Sequence, residues 1–473
     1  MNHVRLRRGS IAAWAVLGSV TLFASSAFAQ VGSAVLTGKI VDASTKAPVA
    51  DAVVTVTSPT LQGEQLMVTD ATGHYRIPGL PPGEYTIRLD KETYKPYSRS
   101  GIQLRADTTI QVSAEVLPEA IKEEIVVVGD PPTVDVGSSS TGTNISSEFV
   151  RRVPVAQPGT KGSQVRSFES AAEVAPGARF DDYGTSISGS SSPENQYVID
   201  GVSVNDPAFG INGTPLSLEF IQETNVITGG YMPEYGRTTG GFLNVVTKSG
   251  SNEFHGSIFG YLSPGALQAD RKAIRTGNTV TTDYSLKYQW DAGFDIGGPL
   301  IKDKLWFYAG FDYFETKWQL ERNLNRRLIA DGEYVTNPET GYYETERIPG
   351  TKKFYDATES GFQYIGKLSY AINRDNKVSL QMFGMPRFSG GDGNFGINPS
   401  RDSIDDLDSF NRNISGTYGA MAHNFDSWSN DVVAKYQTAF DNKHTLLDVS
   451  LGWHHQDGGR FPADGSPLNN TTG

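Results

Sequence analysis

The chain has 473 residues, 51 of them glycine and none cysteine, and a formal net charge of −12. The lack of cysteine removes disulfides, thiolate metal centres and a cysteine nucleophile. The acidic balance makes nucleic acid a poor partner. A mean hydropathy of −0.35 is too polar for a bundle of membrane-spanning helices, but not for a β-barrel, whose apolar residues hide in alternation.

The N-terminus reads as a secretory signal over residues 1–29. Arg5, Arg7 and Arg8 form a positive start, residues 11–23 are apolar, and Ala27-Phe28-Ala29 is an A-x-A cleavage site. The apolar core of 13 residues falls short of the ~20 that a spanning helix needs. The expected mature start is Gln30.

Residues 35–117 alternate like a β-sandwich. Strand candidates are 36–41, 52–57, 64–69, 74–78, 84–89, 101–104 and 108–116, with turn-forming stretches between them. The runs T-G-K-I-V-D from Thr37, A-V-V-T-V-T from Ala52 and T-D-A-T-G-H-Y-R-I-P-G-L-P-P-G-E-Y-T-I from Thr69 resemble a carboxypeptidase regulatory-like domain. The zinc peptidase signature H-E-x-x-H is absent from the sequence, so the resemblance implies no catalysis. Tyr75, Tyr85, Tyr94 and Tyr97 could stack on sugars, as in the carbohydrate-binding-like folds this domain resembles; the alternative is that they fill the core or its rim.

Residues 121–132 contain Glu124, Ile125, Val126, Val127 and Val128, followed by Pro131-Pro132. The β-branched run can add as a strand to an exposed sheet edge, and the double proline stops it. It resembles the TonB box of TonB-dependent outer-membrane receptors; otherwise it is a last strand of the sandwich.

Residues 133–252 read as a small mixed α/β domain. Residues 133–144 are a Ser/Gly/Thr-rich tether, 146–153 and 164–174 are helix candidates, and 220–227 and 242–248 are strand candidates. Asp200-Gly201 between β-prone residues is a hairpin signal. Asp200-Gly201-Val202, then Glu234-Tyr235-Gly236-Arg237, Gly240-Gly241 and Asn244-Val245-Val246-Thr247-Lys248 resemble the plug of the same receptors. The resemblance implies a plug inside a barrel lumen. Charges such as Glu234 and Arg237 would need partners there, with Asp291, Asp295, Asp312 and Lys367 the candidates.

From residue 253 to 473 the pattern becomes two-faced. Tyr288, Trp290, Ala292, Phe294 and Ile296 alternate with Gln289, Asp291, Gly293, Asp295 and Gly297, and three further stretches repeat the pattern. This is the period of a transmembrane barrel strand in contact with outer-membrane lipid. Expected strands are 254–262, 288–297, 305–315, 361–371, 377–386, 429–440 and 444–455. Long and short connections alternate between them, as outer loops and periplasmic turns do. G-G-P-L-I-K-D-K-L-W-F-Y-A-G from Gly297 resembles the Oar-like branch of the receptors. Plugged transporters have about 22 strands, so the expectation is the N-terminal part of a longer receptor or a truncated gene product.

The expected fold is thus mainly β: a sandwich, a small α/β plug, and the first strands of an antiparallel transmembrane barrel. No catalytic, cofactor or metal constellation stands out. There is no Walker A loop and no G-x-S-x-G elbow, and Asp402, Asp405, Asp406 and Asp408 read as a solvated acidic loop. The resemblance implies uptake of a ligand of siderophore, carbohydrate or peptide class. TonB and its inner-membrane energising complex would drive it. A protein-export machine or a cell-surface adhesion or carbohydrate-binding protein are the alternatives.

Overall fold

The computed structural model describes residues 32–119, 140–152, 166–181, 183–231, 236, 238–269, 277–391, 394–398, 403–404, 423–440 and 445–462. The signal-like residues, including Ala27 and Ala29, lie outside this set. So do the TonB-box-like Glu124 to Val128, and Glu234, Tyr235 and Arg237.

The first module has eight strands: β1 (Ala34–Asp42), β2 (Val53–Thr57), β3 (Gln65–Val68), β4 (His74–Leu80), β5 (Gly83–Asp90), β6 (Tyr97–Leu104), β7 (Thr109–Gln111) and β8 (Ala114–Val116). They form two four-stranded sheets. In one, β1 pairs with β4, β7 and β8; the other runs β3-β2-β5-β6. Every second residue of β1 is buried, so Leu36 and Ile40 meet Val54, Val56 and Ile87 from the opposite sheet in one core. The strand expected over 108–116 is two strands. Both pair with β1 in one continuous register, and between them the Val112 carbonyl accepts the buried Tyr75 hydroxyl. Tyr75 and Tyr85 are core residues, while Tyr94 and Tyr97 pack on its rim.

The second module is a five-stranded sheet ordered β13-β12-β15-β14-β9. Its strands are β9 (Thr141–Ser146), β12 (Gln196–Ile199), β13 (Val202–Ser203), β14 (Ile221–Gly229) and β15 (Phe242–Thr247), with β10 (Ala178–Phe180) and β11 (Thr185–Ile187) forming a separate hairpin. Asp200 and Gly201 join β12 to β13 with φ of 48° and 86°, the two left-handed positions of a tight hairpin turn. A short helix, Ser147–Arg152, follows β9. The helix expected over 164–174 shrinks to one turn, Phe168–Ala171, and a 3-10 turn, Ala172–Val174. Tertiary pairing overrides local propensity there: Ser167 bridges to Ser217, and the Phe168 amide donates to the Leu216 carbonyl.

The third module is a long antiparallel wall. Its main strands are β16 (His255–Pro264), β17 (Val280–Ile301), β18 (Leu305–Arg327), β22 (Lys353–Ala371), β23 (Asn376–Gly384), β27 (His423–Phe440) and β28 (Thr445–Pro462), each hydrogen-bonded to the next. Short strands decorate the long connections: β19 (Ile329–Ala330), β20 (Glu333–Tyr334), β21 (Thr345–Arg347), β24 (Arg387–Ser389), β25 (Asn394–Asn398) and β26 (Ser403–Ile404). Most main strands exceed their expected lengths. β18 has 23 residues, roughly 75 Å at the usual rise per residue, so its far end stands clear of an apolar band about 25 Å tall. The period-2 pattern sorts the faces. Phe294, Ile296, Leu368, Leu380, Leu451 and Trp453 are exposed outward, while Asp291, Asp295, Asp312, Gln363, Gln381 and Asp431 are buried against the second module.

Candidate functional site

The interface between the five-stranded sheet and the wall has an apolar centre. Phe168, Tyr197, Phe220 and Leu243 of the sheet module share one core with Tyr308, Ile365, Phe383 and Val433 of the wall. Phe220 reaches the wall over Gly310, where a Cβ would come within 2.5 Å of its ring. No larger residue fits at that crossing without displacing it.

Around this centre run four polar contacts. The Arg166 guanidinium pairs with Glu219 at 2.8 Å and with Asp291 of β17 at 3.4 Å. It lies 3.3 Å above the Tyr261 ring, and the Tyr261 hydroxyl donates to Glu219 at 2.6 Å. Burial works to raise the Glu219 carboxyl; the Tyr261 hydroxyl and Arg166 outweigh it and hold the carboxyl below its usual range.

The second contact is made by Asp200 at the hairpin tip. Its carboxylate lies 3.2 Å from the Lys367 ammonium of β22 and accepts the Thr247 amide at 3.1 Å and the Thr247 hydroxyl. Burial again opposes ionisation, but the charges of Lys367 and Lys435 prevail and keep the carboxyl below the usual range.

Third, Lys248 pairs with Asp295 of β17 at 3.4 Å, and Asp295 also accepts the Tyr308 hydroxyl at 3.2 Å. Fourth, Asp431 of β27 accepts the Thr214 hydroxyl at 2.7 Å and bonds His454 Nδ1 at 2.7 Å.

The sandwich docks on the same five-stranded sheet. The Ala106 amide donates to Glu223 of β14 at 2.7 Å, and Asn244 of β15 donates to Asp107 at 2.7 Å. Burial pushes the Glu223 carboxyl up to about 7; the Ala106 amide and Arg105 oppose the rise and Asp107 adds to it.

Asp291, Asp295 and Lys367 therefore do meet charges of the second module. The partners are Arg166, Lys248 and Asp200, whereas Glu234 and Arg237 lie outside the described residues. Asp312 is buried on the same face and forms no ion pair among the described residues. Gly236 is exposed; Gly240 and Gly241 donate their amides to the Glu194 carbonyl and the Asn195 side chain. Sequence reasoning missed Arg166, Glu219, Glu223 and the Thr214–Asp431–His454 cluster. Only Asp431 and His454 left a signal, as polar residues on the inward face of neighbouring strands. Among the described residues no three His, Asp or Glu side chains converge as a metal site requires.

Residues 35–117 match the carboxypeptidase regulatory-like domain family, and residues 246–326 match the outer membrane beta barrel domain family. Over 459 residues, 97% of the chain, the sequence is 49% identical to the TonB-dependent transporter Oar of Myxococcus xanthus. The chain spans 43% of that relative's length. Among solved structures, the siderophore receptor PirA from Acinetobacter baumannii aligns at 15% identity over 67% of this chain and 48% of its own, with a TM-score of 0.30. A putative carbohydrate binding protein from Bacteroides uniformis aligns at 19% identity over 18% of this chain and 41% of its own, with a TM-score of 0.16. The chain is thus related, over nearly its whole length, to the Oar-type TonB-dependent transporters of the outer membrane, with a carboxypeptidase regulatory-like domain ahead of its outer-membrane β-barrel domain.

Proposed function

We propose that the protein carries a ligand across the outer membrane, with TonB and its inner-membrane complex supplying the energy. The five-stranded sheet acts as the plug. The observation that carries this reading is the make-up of its interface with the wall: Arg166–Asp291, Asp200–Lys367 and Lys248–Asp295 surround a small apolar centre. A permanently fused interface would be dominated by apolar burial. Charges that pair across a lumen can instead exchange their partners for water when the plug shifts, so the interface is both specific and reversible.

In this reading TonB grips Ile125, Val126, Val127 and Val128 by strand addition. The next described strand is β9, at the edge of the plug sheet and bonded, among the described residues, to β14 alone. Traction on the segment therefore loads β9 first, and its ladder before the central strands. The domain limits fit this division: a sandwich over 35–117, a TonB-box segment over 121–132, a plug over 133–252 and a barrel portion from 253.

The chain has no cysteine, so an introduced one is unique. Val127→Cys should form a disulfide with a single-cysteine TonB in growing cells. Val127→Pro, which removes a backbone donor, should abolish co-purification with TonB at unchanged outer-membrane levels. A Val127→Pro protein that still co-purifies with TonB would return the segment to the sandwich.

A further inference from the structure

The short-turn end of the wall carries a group of cations that the plug contacts leave partly unused. Register places them on one face. On β22 and β23, Lys367 lies opposite Gln381 and Ser369 opposite Ser379. On β23 and β27, Ser379 lies opposite Lys435 and Lys377 opposite Gln437. Lys367, Lys435 and Lys377 therefore surround the Ser369–Ser379 pair, each on a different strand. Direct neighbours on such a face are about 5 Å apart and diagonal ones about 7–8 Å, within reach of a lysine side chain. All six of Lys367, Ser369, Lys377, Ser379, Gln381 and Lys435 line a single cavity of about 430 Å³ between wall, plug and sandwich.

The charges in this bay do not balance. Five cationic side chains, Arg151, Lys248, Lys367, Lys377 and Lys435, line it against two carboxylates, Asp200 and Asp295. With Lys248 on Asp295 and Lys367 on Asp200, Lys377, Lys435 and Arg151 are left over. Lys377 and Lys435 have neither a hydrogen bond nor an ion pair among the described residues. Gln381 adds an independent sign: the residue is 3% exposed, and its side-chain Nε2 has no acceptor. A buried donor without a partner costs free energy, and clustered ammonium groups repel one another. Both costs vanish if an anion with several acceptor oxygens sits in the bay.

We propose that this cavity is a binding site for a doubly charged oxyanion of the phosphate or phosphomonoester class. Lys377 and Lys435 supply the charge, Gln381 Nε2 and the hydroxyls of Ser369 and Ser379 donate hydrogen bonds, and Lys367 is shared with Asp200. The site lies on the plug's sandwich-facing side, and it stands whether or not the protein is a transporter.

The test is calorimetric titration of the detergent-solubilised protein, purified from outer membranes, with inorganic phosphate at low salt. Saturable binding is expected. Lys377→Gln and Lys435→Gln should each weaken it by about ten-fold, the loss of one charge-assisted contact, while Lys377→Arg and Lys435→Arg retain it. Asp200→Asn should tighten binding by freeing Lys367, a gain that misfolding cannot produce. Glucose 6-phosphate in a parallel titration separates two sources: tighter binding than phosphate means a phosphate carried on a larger solute, weaker binding means the free ion. Absence of saturable phosphate binding would overturn the proposal. So would binding indifferent to Lys377→Gln and Lys435→Gln, or acetate binding as tightly as phosphate.

Discussion

Asp200, at the left-handed tip of the plug hairpin, places its carboxylate 3.2 Å from the Lys367 ammonium on the barrel wall. The Asp200 side chain is 8% exposed and the Lys367 side chain 13%, so water can replace little of what each gives the other. A buried pair is costly to break from one side, on the order of 3–5 kcal/mol, since the remaining charge is stranded. Lys367→Met should therefore lower thermal stability by several degrees. Adding Asp200→Asn to that variant should recover part of the loss. Calorimetric melting of the two proteins and the parent checks this; a double variant no better than the single would mean that the pair is not coupled.

Arg166 should matter more than any exposed ion pair. Its removal takes the guanidinium from both Glu219 and Asp291, which lie beside Asp312, and leaves only the more distant Lys248 charge near Glu219. Arg166→Ala should loosen the plug and raise the sensitivity of cells to large antibiotics that an intact outer membrane excludes. Arg152→Ala is the contrast: its pair with Glu148 is solvent-exposed and is worth about 0.5 kcal/mol or less. Equal sensitivity of the two variants would contradict this ranking.

The dock between sandwich and plug should depend on pH through Glu223. Its carboxyl is raised to about 7 by burial when docked, against about 4.3 for a free glutamate. The docked form thus holds the proton more tightly. Its contribution is complete below the free value, falls as pH rises from roughly 4.5 to 7, and is level above that. Protease access to the described contact at Ala106 should increase across that interval, and Glu223→Gln should flatten the profile. A profile unchanged by Glu223→Gln would rule out this carboxyl as the sensor.

The wall was legible because its chemistry repeats every two residues. Phe294 and Ile296 face out and Asp291 and Asp295 face in, as the alternation requires. Strand ends were less legible. In the outer parts of β17 and β18 the alternation inverts, with Leu286, Trp318 and Leu320 buried inward and Lys317 and Gln319 on the other face, so the outward-apolar pattern ends there while pairing continues. The Asp200-Gly201 turn followed from local backbone chemistry alone. The plug–wall pairs did not. The sequence offered Asp291 and Lys367 as partners for Glu234 and Arg237, whereas Arg166 and Asp200 reach them across 125 and 167 residues, and spacing along the chain carries no trace of such a meeting. Arg166 was hidden further because it lies in a stretch that reads as helix from 164, whereas the helical turn starts only at Phe168.

The central claim is that the plug moves against the wall when TonB pulls. Thr214 is fully buried at that interface, its hydroxyl on Asp431. With no native cysteine in the chain, Thr214→Cys gives a single reporter for a membrane-impermeant maleimide added to intact cells. Labelling should appear in energised cells that contain TonB. It should vanish when the proton gradient is discharged, and also when Val127→Pro is present. Labelling that is the same in all three conditions, or absent from energised cells, would contradict the account.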